Sequence, residues 1–115
     1  MMQLEFSELD GTTRLLRLSG RLDIVGTGEI ETRFAGYCAV NECRVLVDLA
    51  GVDFLASIGI RLLVINAKSV INRGGRMLIV NPSSDVRHVL DISGIPPIIP
   101  IYDNLESARA ASLVN

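Results

Sequence analysis

Two stretches of alternating apolar and polar residues open the chain. Gln3-Leu4-Glu5-Phe6-Ser7-Glu8-Leu9 and Thr13 to Ser19, through Leu15, Leu16 and Leu18, have the pattern of half-buried strands. Asp10-Gly11 between them predicts a tight turn, so residues 3–19 read as a β-hairpin. Gly20-Arg21-Leu22-Asp23 leaves the second strand with one acid at its tip. A helix is then predicted from about Gly26 to Val40, with Ile30, Phe34, Ala35 and Cys38 inward and Glu29, Glu31 and Arg33 outward.

The pattern changes at Val45-Leu46-Val47, a continuous apolar run that predicts a strand over Arg44 to Asp48 covered on both faces. Such strands are usually parallel and central, and sites of open α/β sheets gather beyond their carboxyl ends. Asp48 to Ser57 reads as the short loop leaving that end, with Ser57 expected to cap the next helix through its hydroxyl. In that helix Ile60, Leu63, Val64, Ala67, Val70 and Ile71 form the stripe expected to face the sheet. The opposite side carries Ile58, Arg61, Leu62, Ile65, Lys68, Ser69 and Asn72, more apolar than an outward face needs. The row Ile58, Leu62, Ile65 is either a docking ridge for another protein or is covered by a loop of this same chain.

Gly74-Gly75 ends the helix, and Arg76 to Val80 is another fully apolar strand. Asn81-Pro82-Ser83-Ser84-Asp85 supplies N-cap residues for a helix holding Val86, Val89 and Leu90, with Gly94 at its C′ position. Pro96-Pro97 forbids continuation. Ile98 to Tyr102 is a last short strand, assigned to the sheet edge by Pro100, and Asn104 caps a final helix to Ala111. The order β-β-α-β-α-β-α-β-α predicts an α/β fold: a mixed β-sheet, N-terminal hairpin then βαβ crossovers, with helices packed mainly on one face.

At 115 residues the chain is expected to be one domain, residues 1–115, large enough to fold without disulfide or metal. A 49% hydrophobic content fits a small sheet with hidden central strands. The apolar runs are strand-sized and Glu5, Glu8 and Asp10 stand where a signal peptide would be basic, so a cytoplasmic protein without membrane contact is expected. Thirteen acidic against eleven basic residues and no Trp leave neither a basic footprint nor stacking platforms, which argues against direct nucleic-acid binding.

Cys38, Cys43 and the single His88 do not make a zinc set, so no metal and no cofactor are expected. The cysteines read as buried free thiols and His88 as a partly buried structural histidine. Neither phosphate-cradling glycine loop is present, and Ala56-Ser57-Ile58-Gly59 lacks the first glycine of a nucleophile elbow, so no catalytic residues are assigned and an enzyme is not expected. Ser57 has a second attribute. At a helix start, unpaired N–H groups and partial positive charge also favour a phosphate on its hydroxyl. That phosphate would put roughly −1.5 to −2 charge at the head of the apolar row, which is sufficient to turn off binding there.

Val47-Asp48-Leu49-Ala50-Gly51-Val52-Asp53-Phe54-Leu55-Ala56-Ser57-Ile58-Gly59-Ile60 resembles the signature of the bacterial anti-sigma factor antagonists, small STAS domains related to the sporulation and stress-response antagonists. Gly20-Arg21-Leu22-Asp23 is similar to the family's Gly-Glu-Leu-Asp, Gly74-Gly75 to its Gly-Gly, and Val89-Leu90-Asp91-Ile92-Ser93-Gly94-Ile95 to its late helix ending. The resemblance covers nearly the whole chain. It implies a partner-switching cascade in which the unmodified antagonist binds an anti-sigma factor with serine kinase activity, phosphorylation blocks binding, and a serine phosphatase restores it. Ser57 then occupies the phosphoacceptor position, and Asp23, Asp53, Ala56, Ser57, Ile58, Gly59, Arg61, Leu62 and Ile65 make up the partner surface.

Where the family commonly has Asp-Ser-Ser/Thr-Gly, this chain has Ala56-Ser57-Ile58-Gly59. Losing the acid lowers repulsion beside a phosphate, and Ile58 enlarges the apolar row, so partner choice shifts while the acceptor remains. Two rival readings are a small-ligand sensor, with Asp23, Asp48 and Asp53 as its polar groups, and a constitutive subunit of a signalling assembly.

Overall fold

The computed structural model describes residues 1–112 as β1 (Gln3–Asp10), β2 (Thr13–Leu22), α1 (Ile24–Cys38), β3 (Arg44–Leu55), α2 (Ser57–Asn72), β4 (Arg76–Val80), α3 (Ser84–Ile92), β5 (Ile101–Tyr102) and α4 (Leu105–Ser112). The predicted element order stands. One five-stranded sheet runs β1-β2-β3-β4-β5, antiparallel between β1 and β2 and parallel from there on. Strand order follows chain order in one direction, so crossovers of one hand put their helices on the same face. Accordingly α1, α2 and α3 pack their apolar residues with Leu16, Val45, Val47 and Ile79, while α4 closes the other face over Leu15, Leu46, Leu78 and Val80. This double cover is why β3 and β4 begin as unbroken apolar runs.

The first correction concerns β3, which runs for twelve residues rather than five. The predicted loop over residues 49–56 is strand as far as Leu55. β3 leaves β4 after Asp48 but continues along β2, which itself extends beyond Ser19 to give Leu22 opposite Leu55. Asp48 sits at the divergence, its Oδ1 accepting the Ala50 N–H at 2.9 Å and its Oδ2 lying 3.7 Å from Arg17 Nε on β2. The register then shifts twice, each time giving β3 one residue more than β2, and the second extra residue is Asp53. Alternation is broken at these shifts, which hid the strand from a period-two reading.

Three smaller differences follow from packing. α1 begins at Ile24 rather than Gly26, because Asp23 caps it by accepting the Gly26 N–H at 2.8 Å. Its inner face is Thr27, Ile30, Phe34 and Cys38, so Ala35 is exposed. His88 is exposed as well, since α3 turns Val86 and Leu90 inward. The remaining punctuation acts as predicted: Gly74 and Gly94 take positive φ at helix ends, Ser83 caps α3, and Asn104 caps α4. β5 is shorter than predicted, confined to Ile101 and Tyr102 at the sheet edge. Both cysteines are buried and free, and burial pushes the Cys38 thiol up to about 12.

Asp10 joins the hairpin turn to α4. Its carboxylate accepts the Thr12 N–H at 2.9 Å and faces Arg109 at 3.2 Å, and these bonds, the Thr12 N–H foremost, lower its pKa to about 2. A carboxylate depressed on folding stabilises above its unfolded pKa, and that contribution is lost as pH falls through the folded value. The protein is therefore expected to lose stability more steeply than Asp10→Asn between about pH 4 and pH 2, as read by chemical denaturation at stepped pH.

Candidate functional site

Three chain segments converge where β2 and β3 end. The Ala56 N–H donates to the Leu22 carbonyl at 3.0 Å, which fixes the start of α2 beside the start of α1. Gly59, buried in the first turn of α2, makes the approach sterically feasible. A Cβ there would stand 2.9 Å from Leu22 Cβ and 2.9 Å from Leu55 Cδ1. Asp23 and Ser57 thus belong to neighbouring strand-to-helix junctions.

Ser57 does not cap α2, contrary to expectation. Because β3 continues to Leu55, extended Ala56 becomes the capping residue and its carbonyl accepts from Gly59 and Ile60 at 3.0 and 3.1 Å. Ser57 is the first helical residue, exposed, and its hydroxyl makes no hydrogen bond among the described residues. α2 therefore begins with no side-chain cap and no acid in its first turn, whereas Asp23, Ser83 and Asn104 cap the other three helices. Its first N–H groups and the positive end of its dipole are left for solvent or an anion.

The predicted row Ile58, Leu62, Ile65 resolves into a groove wall. α2 packs against α1 as well as the sheet, so its buried arc turns toward Leu62 and Asn66, while Ile71 of the predicted inner stripe is 52% exposed. Leu62 is 7% exposed, but Ile58 and Ile65 remain at 37% and 52%. No loop of the described residues covers them. With Arg61 and Asn66 they face Thr27, Glu31 and Ala35 of α1 across a groove of about 400 Å³.

Asp23 and Asp53 do not line this groove. They share a shallow depression of about 500 Å³ with Arg21, Gly26 and Glu29 on the other side of the corner. The Gly26 N–H, helped by Arg21 at 3.4 Å, holds the Asp23 carboxyl below the usual carboxylate range, and Glu29 accepts the Met2 N–H at 3.0 Å. Two of the three acids are therefore committed to the fold. Asp48, the third polar group of the ligand-sensor reading, lies away from both and pairs with Arg17. Among the described residues no group of three or more His, Cys, Asp or Glu is arranged to hold a metal ion, and no helix is long and apolar enough to cross a membrane.

Sequence reasoning missed Ile24 and Val25, 75% and 71% exposed in the first turn of α1, and Phe54 of β3, whose ring lies 4.2 Å below the Arg21 guanidinium. The first two were findable. Had Asp23 been read as the N-cap, a helix with Ile30 and Phe34 inward would have turned Ile24 and Val25 outward. The corner thus carries apolar side chains on both helix starts around an uncapped serine.

The sequence profile of the STAS domain matches residues 3–108. The chain is 29% identical over 110 residues to BtrV of Bordetella bronchiseptica, named as a candidate anti-sigma factor antagonist, covering 96% of this chain and 94% of the relative. It is 28% identical over 104 residues to the anti-sigma F factor antagonist of Paenibacillus polymyxa, covering 90% and 88%. Its fold superposes on the anti-sigma factor antagonist SpoIIAA, solved in its unphosphorylated form, with a TM-score of 0.77 at 24% identity over 98% of this chain and all of that one.

Gly59→Ala tests the close contact at the corner. Alanine gains about 1 kcal/mol in helix propensity, but overpacking against Leu22 and Leu55 costs about 1–3 kcal/mol. A lower melting temperature is expected in a circular dichroism melt, where an unchanged or higher one would show that the contact has room to relax.

Proposed function

The chain belongs to the STAS domain family, and from that membership we propose that it is an anti-sigma factor antagonist, a binding protein rather than an enzyme, switched at Ser57. The unmodified corner binds an anti-sigma factor that is also a serine kinase. That kinase transfers a phosphoryl group to the Ser57 hydroxyl, and a serine phosphatase removes it. The protein acts in the cytoplasm, where its partners meet the transcription machinery.

The observation that carries this reading is the state of Ser57: exposed, unbonded, and first in a helix that has no side-chain cap. A serine that capped the helix would have to give up a stabilising bond on modification. Ser57 has none to give up, and its phosphate would meet the unpaired N–H groups and positive dipole end of α2. The names of the relatives support the antagonist role, and the neighbour described in its unphosphorylated form supports control by phosphate.

The off-switch follows from charge and desolvation. Ile58 stands next to Ser57, and Ile24, Val25 and Phe54 are exposed nearby at the same sheet end. A partner seated on these side chains must exclude water from the serine. With roughly −1.5 to −2 charge on it, seating would require desolvating a dianion, which costs far more than the apolar contact returns. No rearrangement of the fold is needed. Ala56 and Ile58, where the family commonly carries an acid and a hydroxyl, leave the acceptor less repelled and the surface greasier, so the difference falls on partner choice.

The test is binding of the anti-sigma factor to two variants. Ser57→Ala is expected to bind as tightly as the unmodified protein and to resist inactivation by kinase and ATP. Ser57→Asp is expected to bind at least about tenfold more weakly, a loss of about 1.4 kcal/mol. Equal binding by both variants would remove Ser57 from the mechanism.

A further inference from the structure

The α1–α2 groove pairs Arg61 of the proposed partner surface with an acid, Glu31, that lies outside it. Glu31 stands on the α1 wall and Arg61 on the α2 wall, both exposed. Neither makes an ion pair or hydrogen bond among the described residues. For Arg61 this is exceptional, since every other arginine of the chain is tied to a carboxylate, an amide, a hydroxyl or a backbone carbonyl. The rest of the lining is mostly apolar, with Ile58 and Ile65 exposed on α2 and the small Ala35 on α1, beside the buried Thr27 and Asn66.

Opposite charges on facing walls are complementary to themselves under a two-fold axis that runs along the groove. Rotation about such an axis lays α2 of a second copy over α1 of the first, and α1 over α2, so that residue i meets j and j meets i. We propose that this face is a self-association surface, on which two copies of the chain dock groove to groove. Glu31 of each copy pairs with Arg61 of the other, and Ile58 and Ile65 are buried between them. The chain itself brings an anion on one wall and a cation on the other, together with apolar side chains to fill the groove. A formal net charge of −2 sets up little long-range repulsion between copies. Because Ile58 and Arg61 are also part of the surface assigned to the anti-sigma factor, the dimer and the heterocomplex exclude one another. Self-association itself does not rest on that assignment and is measured without any partner.

The test is sedimentation equilibrium of the full chain over a wide concentration range. The expected result is a reversible rise from monomer to dimer mass. Glu31→Arg or Arg61→Glu puts like charges together in both symmetric pairs, and either is expected to weaken the dimer at least about tenfold. The combined Glu31→Arg/Arg61→Glu variant is expected to restore it. Circular dichroism melts keep the comparison among folded proteins, and these exposed positions are expected to leave the melting temperature unchanged. A monomer at every concentration overturns the proposal, and so does a dimer that the single reversals leave intact or the double reversal fails to restore. Groove resonances of a monomer that shift in NMR spectra only when an anti-sigma factor is added would assign the groove to that occupant instead.

Discussion

The backbone hydrogen bond from Ala56 N–H to the Leu22 carbonyl ties together the ends of β2 and β3, and the rest of the site is arranged around it. To reach that bond, β3 must outrun β4 and follow β2, which it does with two register shifts beyond Asp48. To stay there, α2 must start against Leu22 and Leu55, and glycine at position 59 leaves room for that approach, where a Cβ would crowd Leu22 and Leu55 at 2.9 Å. Both conditions set the position of Ser57. It follows the last extended residue, stands first in its helix, and has its hydroxyl unused. A backbone constraint thus determines the chemical state of the one side chain assigned to the switch.

The same corner explains why the surface carries so much apolar area on a well-packed fold. The sheet has core on both faces, with α1, α2 and α3 on one and α4 on the other, and large side chains such as Phe34, Leu46 and Leu63 are fully buried. Ile24, Val25, Phe54, Ile58 and Ile65 remain exposed beside that core. They cluster at the carboxyl end of the parallel strands and along the adjoining groove. Open α/β sheets meet their ligands and partners at that end because it is where the chain leaves the layered core.

Legibility in the sequence followed the strength of local pattern. The hairpin, the unbroken runs of Val45–Val47 and Arg76–Val80, and the Gly, Pro, Ser83 and Asn104 punctuation each encode their element within a few residues, and element order and sheet type came directly from them. What failed depended on neighbours distant in sequence. The second half of β3 is strand because β2 offers a partner for it, and its register shifts erase the alternation that would announce it. The inner face of α2 is rotated because α1 packs beside it, so Leu62 is buried and the row became a groove wall. Ser57 is the expected N-cap because a serine at a helix start usually is. The structure gives that position to Ala56, which no propensity would have selected. Asp23 lies at the tip of β2 and caps α1, a role that depends on where the helix starts, and with it goes the outward turn of Ile24 and Val25.

In the proposed function an unencumbered serine at an uncapped helix start acts as a reversible charge switch for a docking surface. The most direct measurement is the intact mass of the protein recovered from its native cells under contrasting growth conditions, followed by peptide mapping. One added phosphoryl group, located on Ser57, is expected in some conditions and not in others. A protein never modified in any condition, or modified only at another residue, would contradict that reading.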